Sequence, residues 1–140
     1  MKLVIAGSRS VDDQDPKNYM VLVNAMKKHG FSADNVDEVI SGTAVGPDRL
    51  GEKWALVNDV PVARYPAQWS EYGARAGVVR NAEMARLCTH GLILWDGVSK
   101  GTRNMISEMK RLNKPYYLEI VDVVYPDQRN PLEKLLTSGH

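Results

Sequence analysis

Three short segments of the chain combine glycine with hydroxyl and charged side chains, a combination that suits an anionic ligand. Glycine lets backbone N–H groups face a ligand with no Cβ in the way. Serine and threonine hydroxyls add hydrogen-bond donors, and arginine or lysine neutralises phosphate charge. The segments are Gly7-Ser8-Arg9-Ser10, Ser41-Gly42-Thr43-Ala44-Val45-Gly46-Pro47-Asp48 and Asp96-Gly97-Val98-Ser99-Lys100-Gly101-Thr102-Arg103.

These segments predict phosphate binding only in combination, because α/β proteins carry Gly- and Ser-rich turns in many places without a ligand. None of them matches the GxGxxG or GxxxxGK[ST] motif, so neither a dinucleotide site of the NAD type nor a P-loop is indicated. They predict a binding site if all three lie at one edge of the fold.

A fourth segment, residues 66–84, places aromatic and cationic side chains between a loop and a helix. Trp69 and Tyr72 offer flat faces for a base, and Arg75 and Arg80 offer charge. Trp69 is equally consistent with a hydrophobic plug over the edge of a sheet. Arg80, followed by Asn81 near the start of a helix, favours a ligand role.

The elements that position these residues alternate between strand and helix. Short apolar runs ending at turn residues predict strands, and apolar residues at helical spacing predict the helices between them. The predicted strands are 3–6, 38–41, 61–65, 91–95 and 115–120, and the predicted helices are 16–30, 47–58, 73–87, 101–112 and a short one at 131–136. Val57 in the second helix and Val78 in the third are predicted to face inward.

Strands that alternate with helices of this length predict an α/β fold with a parallel sheet. Right-handed crossovers favour a single Rossmann-like domain over 1–140, with a core over about 1–122 and a tail over 123–140. We expect five strands in the order 3-2-1-4-5 with helices on both faces. In such sheets a ligand binds beyond the carboxyl ends of the strands, where the strand order reverses, and the first three segments follow strands at that edge.

Composition excludes several other classes of protein. Lys and Arg total 18 against 17 for Asp and Glu, so bulk electrostatic binding to a nucleic-acid backbone is disfavoured. The single cysteine and three histidines without ligand spacing indicate no metal site, and we expect no cofactor. The apolar runs are too short for a membrane span, and the N-terminal one is too short for a signal peptide, so a cytoplasmic protein is expected.

The four segments together resemble the SLOG superfamily of Rossmann-like nucleotide-binding domains, in particular its small YspA-like branch. The resemblance runs from the first strand to the fifth. It departs from the usual pattern at Thr43 and Pro47, and at Gln68, where relatives often carry an acidic residue. It implies a nucleotide-type ligand such as an ADP-ribose derivative, and a homo-oligomer paired through helices, to which Trp54, Met84 and Met109 could contribute apolar surface.

Two functions follow from the resemblance, and a third is less favoured. The first is a nucleotide-binding module that senses or sequesters its ligand. The alternative is a hydrolase or transferase acting on the N-glycosidic bond of a nucleoside monophosphate, as in the related lonely-guy phosphoribohydrolases. The third, nucleic-acid processing as in the related DprA proteins, is disfavoured by the even charge balance.

The hydrolase reading assigns catalysis to Arg80 and Glu108. Arg80 with Met84 is similar to one element of the phosphoribohydrolases, and Gly101-Thr102 is similar to another. The glutamate expected three residues later is Met105 here, and a thioether cannot accept a proton. Glu108, one turn further along the helix, is the substitute candidate, although its position favours a solvated helix residue. Further candidates are Asp48, Glu83 and Asp96.

The predicted ligand-binding residues are drawn from all four segments. They are Gly7, Ser8, Arg9, Ser41, Gly42, Thr43, Gly46, Asp48, Trp69, Arg75, Arg80, Asn81, Asp96, Gly97, Ser99, Gly101 and Thr102.

Overall fold

Five parallel strands form one sheet in a computed structural model that describes residues 1–123. The predicted helix at 131–136 and all but the first residue of the predicted tail lie outside these residues. The strands are β1 (Lys2–Gly7), β2 (Glu38–Ser41), β3 (Val62–Arg64), β4 (His90–Trp95) and β5 (Tyr116–Ile120). Their order is β3-β2-β1-β4-β5, and every pairing is parallel, as the sequence predicts.

Helices cover both faces of this sheet. They are α1 (Pro16–Lys28), α2 (Pro47–Val57), α3 (Trp69–Tyr72), α4 (Ala76–Leu87) and α5 (Lys100–Arg111), with a short 3₁₀ turn over Gly73–Arg75. Helices α1 and α2 pack on one face of β1, and α4 and α5 pack on the other, so the core consists of two separate apolar clusters. A doubly covered parallel sheet explains why the central strands are continuous apolar runs. None of the helices in residues 1–123 is long and apolar enough to cross a membrane.

Local sequence determines where the helices begin. Asp15 caps α1, its side chain accepting a hydrogen bond from Lys17 N at 3.0 Å, and Pro16 occupies the first helical position. Helix α2 begins in the same way, with Gly46 at the cap position and Pro47 at the first helical position. Both starts agree with the sequence prediction.

Two predicted inward residues face solvent instead. Val57 is 66% exposed and Val78 is 50% exposed. The buried residues of α2 include Leu50, Gly51, Trp54 and Ala55, and those of α4 include Asn81, Met84 and Ala85. The third helix was also predicted to begin at Gly73, but α4 begins at Ala76, because the 3₁₀ turn separates it from α3.

The predicted source of apolar surface for helix pairing is wrong. Trp54, Met84 and Met109 are each at most 5% exposed and belong to the core clusters. Among the described helical residues, the large apolar side chains with the highest exposure are Leu56 and Val57, at 82% and 66%.

The centre of the sheet depends on the close approach of β1 and β4 at Gly7. A Cβ at Gly7 would collide with the carbonyl oxygen of Leu94 and would lie 2.7 Å from Pro47 Cγ. The next residue, Ser8, donates from its backbone nitrogen to that same carbonyl at 3.0 Å. Glycine is therefore required where the two strands separate and where α2 begins to pack on them.

We expect Gly7→Ala to destabilise the fold strongly. Overpacking usually costs about 1–3 kcal/mol, and a backbone carbonyl yields less than a side chain, so the loss should reach at least about 3 kcal/mol. Urea unfolding followed by circular dichroism measures it. Gly101→Ala is the matched control, because an added Cβ there meets nothing within 4 Å and alanine favours a helix. Equal stability of Gly7→Ala and wild type would contradict this account of the strand crossing.

Candidate functional site

A cavity of about 500 Å³ opens at the carboxyl ends of β1 and β4, between which the strand order reverses. Its volume lies within the range of small-molecule sites. Most of the predicted ligand-binding residues line it. These are Gly7, Ser8, Arg9, Asp48, Trp69, Arg80, Asn81, Asp96, Ser99, Gly101 and Thr102.

Ser8 joins the three elements that meet at the floor of the cavity. Its side chain is buried, and its Oγ accepts a hydrogen bond from Asp96 N at 3.0 Å. The same oxygen lies 3.2 Å from Thr102 Oγ1 in a second hydrogen bond. The end of β1, the loop after β4 and the first turn of α5 are thereby held together.

Asp96 shapes the loop that leads into α5. Its Oδ1 accepts hydrogen bonds from the backbone nitrogens of Val98 and Ser99, at 2.9 and 2.8 Å. Its Oδ2 accepts from the hydroxyls of Ser10 and Ser99, at 2.8 and 2.7 Å. An aspartate that binds backbone groups further along in this way fixes a turn. Although Asp96 lines the cavity, its carboxylate is engaged by the protein itself.

The first turn of α5 faces the cavity with unpaired backbone donors. The first N–H groups of any helix have no partner within the helix and carry the positive end of its dipole. Gly101 and Thr102 belong to this turn and line the cavity. At Gly101 nothing stands within 4 Å of an added Cβ, so a ligand has room to approach the backbone.

Arg80 and Asn81 connect α4 to two other elements around the cavity. Arg80 Nη1 donates to the carbonyl of Gly42 at 2.7 Å, and Nε donates to Asn81 Oδ1 at 3.2 Å. Asn81 Nδ2 donates to Asn104 Oδ1 at 2.9 Å and to the carbonyl of Gly101 at 3.2 Å. Burial lowers the pKa of the Arg80 guanidinium, and the Asp48 carboxylate opposes this effect.

Asp48 is a buried carboxyl that lines the cavity from the first turn of α2. It is 5% exposed, and its Oδ2 accepts a hydrogen bond from Ala44 N at 3.1 Å. Burial raises the pKa of Asp48 to about 6, while the Ala44 N–H and the charge of Arg80 act in the opposite direction. This group therefore titrates nearer neutrality than an ordinary aspartate.

The remaining predicted residues of the second segment shape the loop and do not line the cavity. Ser41 Oγ donates to Glu52 Oε2 at 2.7 Å and accepts from Thr43 N at 3.0 Å. Gly46 has a φ of +96°, where side chains are strained, and its nitrogen donates to Asp13 Oδ2 at 2.7 Å. At Gly42, a Cβ would lie 2.7 Å from both Arg80 Nη1 and Asp48 Oδ2.

Three further candidates also lie outside the lining of the cavity. Arg75 is exposed on the 3₁₀ turn, and Gly97 occupies a turn with a φ of +87°. Glu108, a predicted catalytic residue, accepts from the Arg111 guanidinium at 2.7 Å. Met105, one turn before it, lines the cavity and is buried. Glu108 lies one turn further along α5, outside the lining of the cavity, and its carboxylate pairs with Arg111.

Several residues that line the cavity are not among those predicted from the sequence. They are Ala6, Ser10, Ala44, Gly77, Met84, Val98 and Met105. Ala6 and Met84 also belong to the core, and their apolar type gave no signal of a ligand site. Gly77 carries no side chain and lies at the start of α4, which is the only signal that its sequence position offered.

Comparison of the chain with protein families, with curated proteins and with solved structures found no match.

The raised pKa of Asp48 predicts a pH-dependent stability. The folded state binds the Asp48 proton more tightly than the unfolded state does. The free energy of unfolding that this proton contributes is therefore fully present below the ordinary pKa of 3.8 and is lost as the pH rises through about 6. The loss should be about 3 kcal/mol. Asp48→Asn mimics the protonated form, so it should exceed wild type in free energy of unfolding at about pH 7.5 and not at about pH 4.

Urea unfolding of both proteins across this range measures the difference. Asp59→Asn is the control, because Asp59 is exposed and has a φ of +57°, a conformation that asparagine tolerates. A difference between Asp48→Asn and wild type that does not change with pH would contradict the titration of a buried Asp48.

Proposed function

We propose that this protein binds a nucleotide or nucleotide derivative, such as an ADP-ribose-like molecule, in the cavity between β1 and β4. The observation that carries the proposal is the chemistry of its lining. Two arginines and an open helix N-terminus share the cavity with an apolar wall and an accessible tryptophan ring. A ligand that matches this lining carries both an anionic group and a flat aromatic group, as nucleotides do.

The N-terminal turn of α5 is the best candidate for the phosphate subsite. Backbone N–H groups and the helix dipole both favour an anion at such a turn. Gly101 leaves the approach open, and Ser99 and Thr102 line the cavity beside it. Arg9 and Arg80 supply the positive charge, Arg9 from the exposed surface and Arg80 from a partly buried position.

The apolar part of the cavity suits a base. Ala6, Met84 and Met105 form a wall of methyl and thioether groups, and Trp69 is 53% exposed while lining the same cavity. An aromatic ring with a free face gains free energy by stacking on a base, and a polarisable thioether packs well against an aromatic ring. This arrangement supports a ligand role for Trp69.

Arg80→Ala should weaken nucleotide binding by about 10-fold or more, the loss expected for a charge-assisted hydrogen bond. Arg80→Lys should recover only part of the affinity, because an ammonium lacks the planar guanidinium fork. Isothermal titration with the four common ribonucleoside monophosphates and ADP-ribose measures the affinities. Arg75→Ala is the matched control, since Arg75 is exposed and does not line the cavity.

Two results would count against the proposal. If wild type binds none of these compounds, the nucleotide function fails. If Arg80→Ala binds as tightly as Arg75→Ala does, the ligand does not depend on this cavity arginine. Thermal unfolding of each variant separates lost affinity from lost folding, because Arg80 also donates to the carbonyl of Gly42.

A second candidate function is hydrolysis of a nucleotide at its N-glycosidic bond, and the observation that favours it is Asp48. A general base needs a pKa close to the working pH and a position in the cleft. Asp48 lines the cavity and has a pKa raised to about 6, whereas Glu108 lies outside the lining. In this mechanism the Asp48 carboxylate accepts a proton from water as the water oxygen bonds to the sugar carbon. The C–N glycosidic bond breaks, its electron pair leaves with the base, and the base nitrogen takes up one proton, so that the proton held by Asp48 is released in turn.

Incubation of the protein with the four ribonucleoside monophosphates, followed by chromatography, tests for released base. We expect no release of base, because Met105 stands where the phosphoribohydrolases carry a glutamate, and no glutamate of residues 1–123 lines the cavity. Release by wild type that Asp48→Asn abolishes and Asp59→Asn leaves intact would overturn this expectation and establish the hydrolase reading. Release that Asp48→Asn leaves unchanged would indicate a contaminating activity.

A further inference from the structure

One carboxylate oxygen of Asp48 has no hydrogen-bond donor within the described chain. The side chain accepts a single hydrogen bond there, from Ala44 N to Oδ2 at 3.1 Å. Oδ1 accepts no hydrogen bond from these residues, although only 5% of the surface of Asp48 is exposed. Across residues 1–123, no fully buried side-chain nitrogen or oxygen lacks a partner, so Oδ1 keeps some access to solvent. Asp48 lines the cavity, which is the open space beside this carboxyl.

The other carboxylate of the cavity differs in this respect. Both oxygens of Asp96 accept hydrogen bonds from the loop that they fix, two from backbone nitrogens and two from hydroxyls. Asp48 therefore offers the acceptor that the fold does not use. A poorly satisfied polar group in a buried position costs free energy until a ligand or water supplies its donor.

A carboxylate in this position selects for particular ligand groups. It repels the oxygens of a phosphate and accepts a hydrogen bond from a hydroxyl or an amino group. Asp48 also lies close to Arg80, because a Cβ at Gly42 would stand 2.7 Å from both Asp48 Oδ2 and Arg80 Nη1. If Arg80 contacts the phosphate, the group beside it in a nucleotide is the sugar, and the base lies further away.

Resting on the nucleotide function proposed above, we infer that Asp48 determines specificity by accepting a hydrogen bond from a ribose hydroxyl. The protein then prefers ribonucleotides to their deoxy counterparts. Sites built to bind a hydroxyl reject analogues that lack it, because the polar group of the site is left unpaired.

The first experiment compares ligands on the wild-type protein. Isothermal titration identifies the tightest of the four ribonucleoside monophosphates and compares it with its 2′-deoxy and 3′-deoxy forms. At least one deoxy form should bind about 10-fold or more weakly, the loss expected for a hydrogen bond to a charged group. The analogue that is rejected identifies the hydroxyl that contacts Asp48.

Each outcome of this comparison decides the inference. If both deoxy forms bind as tightly as the ribonucleotide, the role of Asp48 is overturned while the nucleotide function stands. If no ribonucleotide binds at all, the proposed function fails and the inference with it.

The second experiment assigns the preference to Asp48. Asparagine has one acceptor oxygen, which the Ala44 N–H would occupy, so Asp48→Asn presents an NH₂ donor to the ligand instead. The ratio of ribose to deoxyribose affinity should fall towards one in Asp48→Asn and should not change in Asp59→Asn. An unchanged ratio in a folded Asp48→Asn variant would overturn the inference.

Discussion

The buried hydroxyl of Ser8 fixes the place where β1, β4 and α5 meet. Ser8 Oγ accepts a hydrogen bond from Asp96 N and forms a second one with Thr102 Oγ1, while the backbone nitrogen of Ser8 donates to the carbonyl of Leu94. In a parallel sheet, the loops on either side of the reversal in strand order leave in opposite directions and open a crevice. The Ser8 contacts join the elements at the floor of this crevice, and the missing side chain of Gly7 allows the strands to come close enough to make them.

The polar groups around this crevice divide into those that build it and those that remain available to a ligand. Asp96 and Asn81 use their hydrogen-bonding capacity on the loop after β4 and on α5. Asp48 and the open turn at Gly101 retain capacity that faces the cavity. Preorganised groups of this kind bind a ligand without first being ordered, which lowers the entropic cost of association. This division is the physical basis of the proposed nucleotide site.

The sheet order and the location of the cavity could be predicted from sequence, because apolar runs and turn residues mark each strand and parallel strands end at one edge. The burial of individual side chains could not. Val78 and Ala85 are seven residues apart and lie within about 20° of each other around α4, yet Val78 is 50% exposed and Ala85 is buried. Helical spacing gives the direction of a side chain, but not whether another element covers that turn of the helix. Glu108 offered a usable signal, since Arg111 three residues later forms a pair on one helix face. The burial of Asp48 depends on contacts between distant segments and carries no local signal.

The most direct test of the account is to map nucleotide binding onto the backbone amides by ¹⁵N nuclear magnetic resonance. The protein is titrated with each of the four ribonucleoside monophosphates and with ADP-ribose. A nucleotide bound between β1 and β4 should cause the largest shift changes at Ser8, Gly101 and Thr102, which line the cavity, while Gly30 and Gly73, which lie outside its lining, stay unchanged. Changes concentrated elsewhere, or no change with any of these nucleotides, would contradict a nucleotide site between β1 and β4.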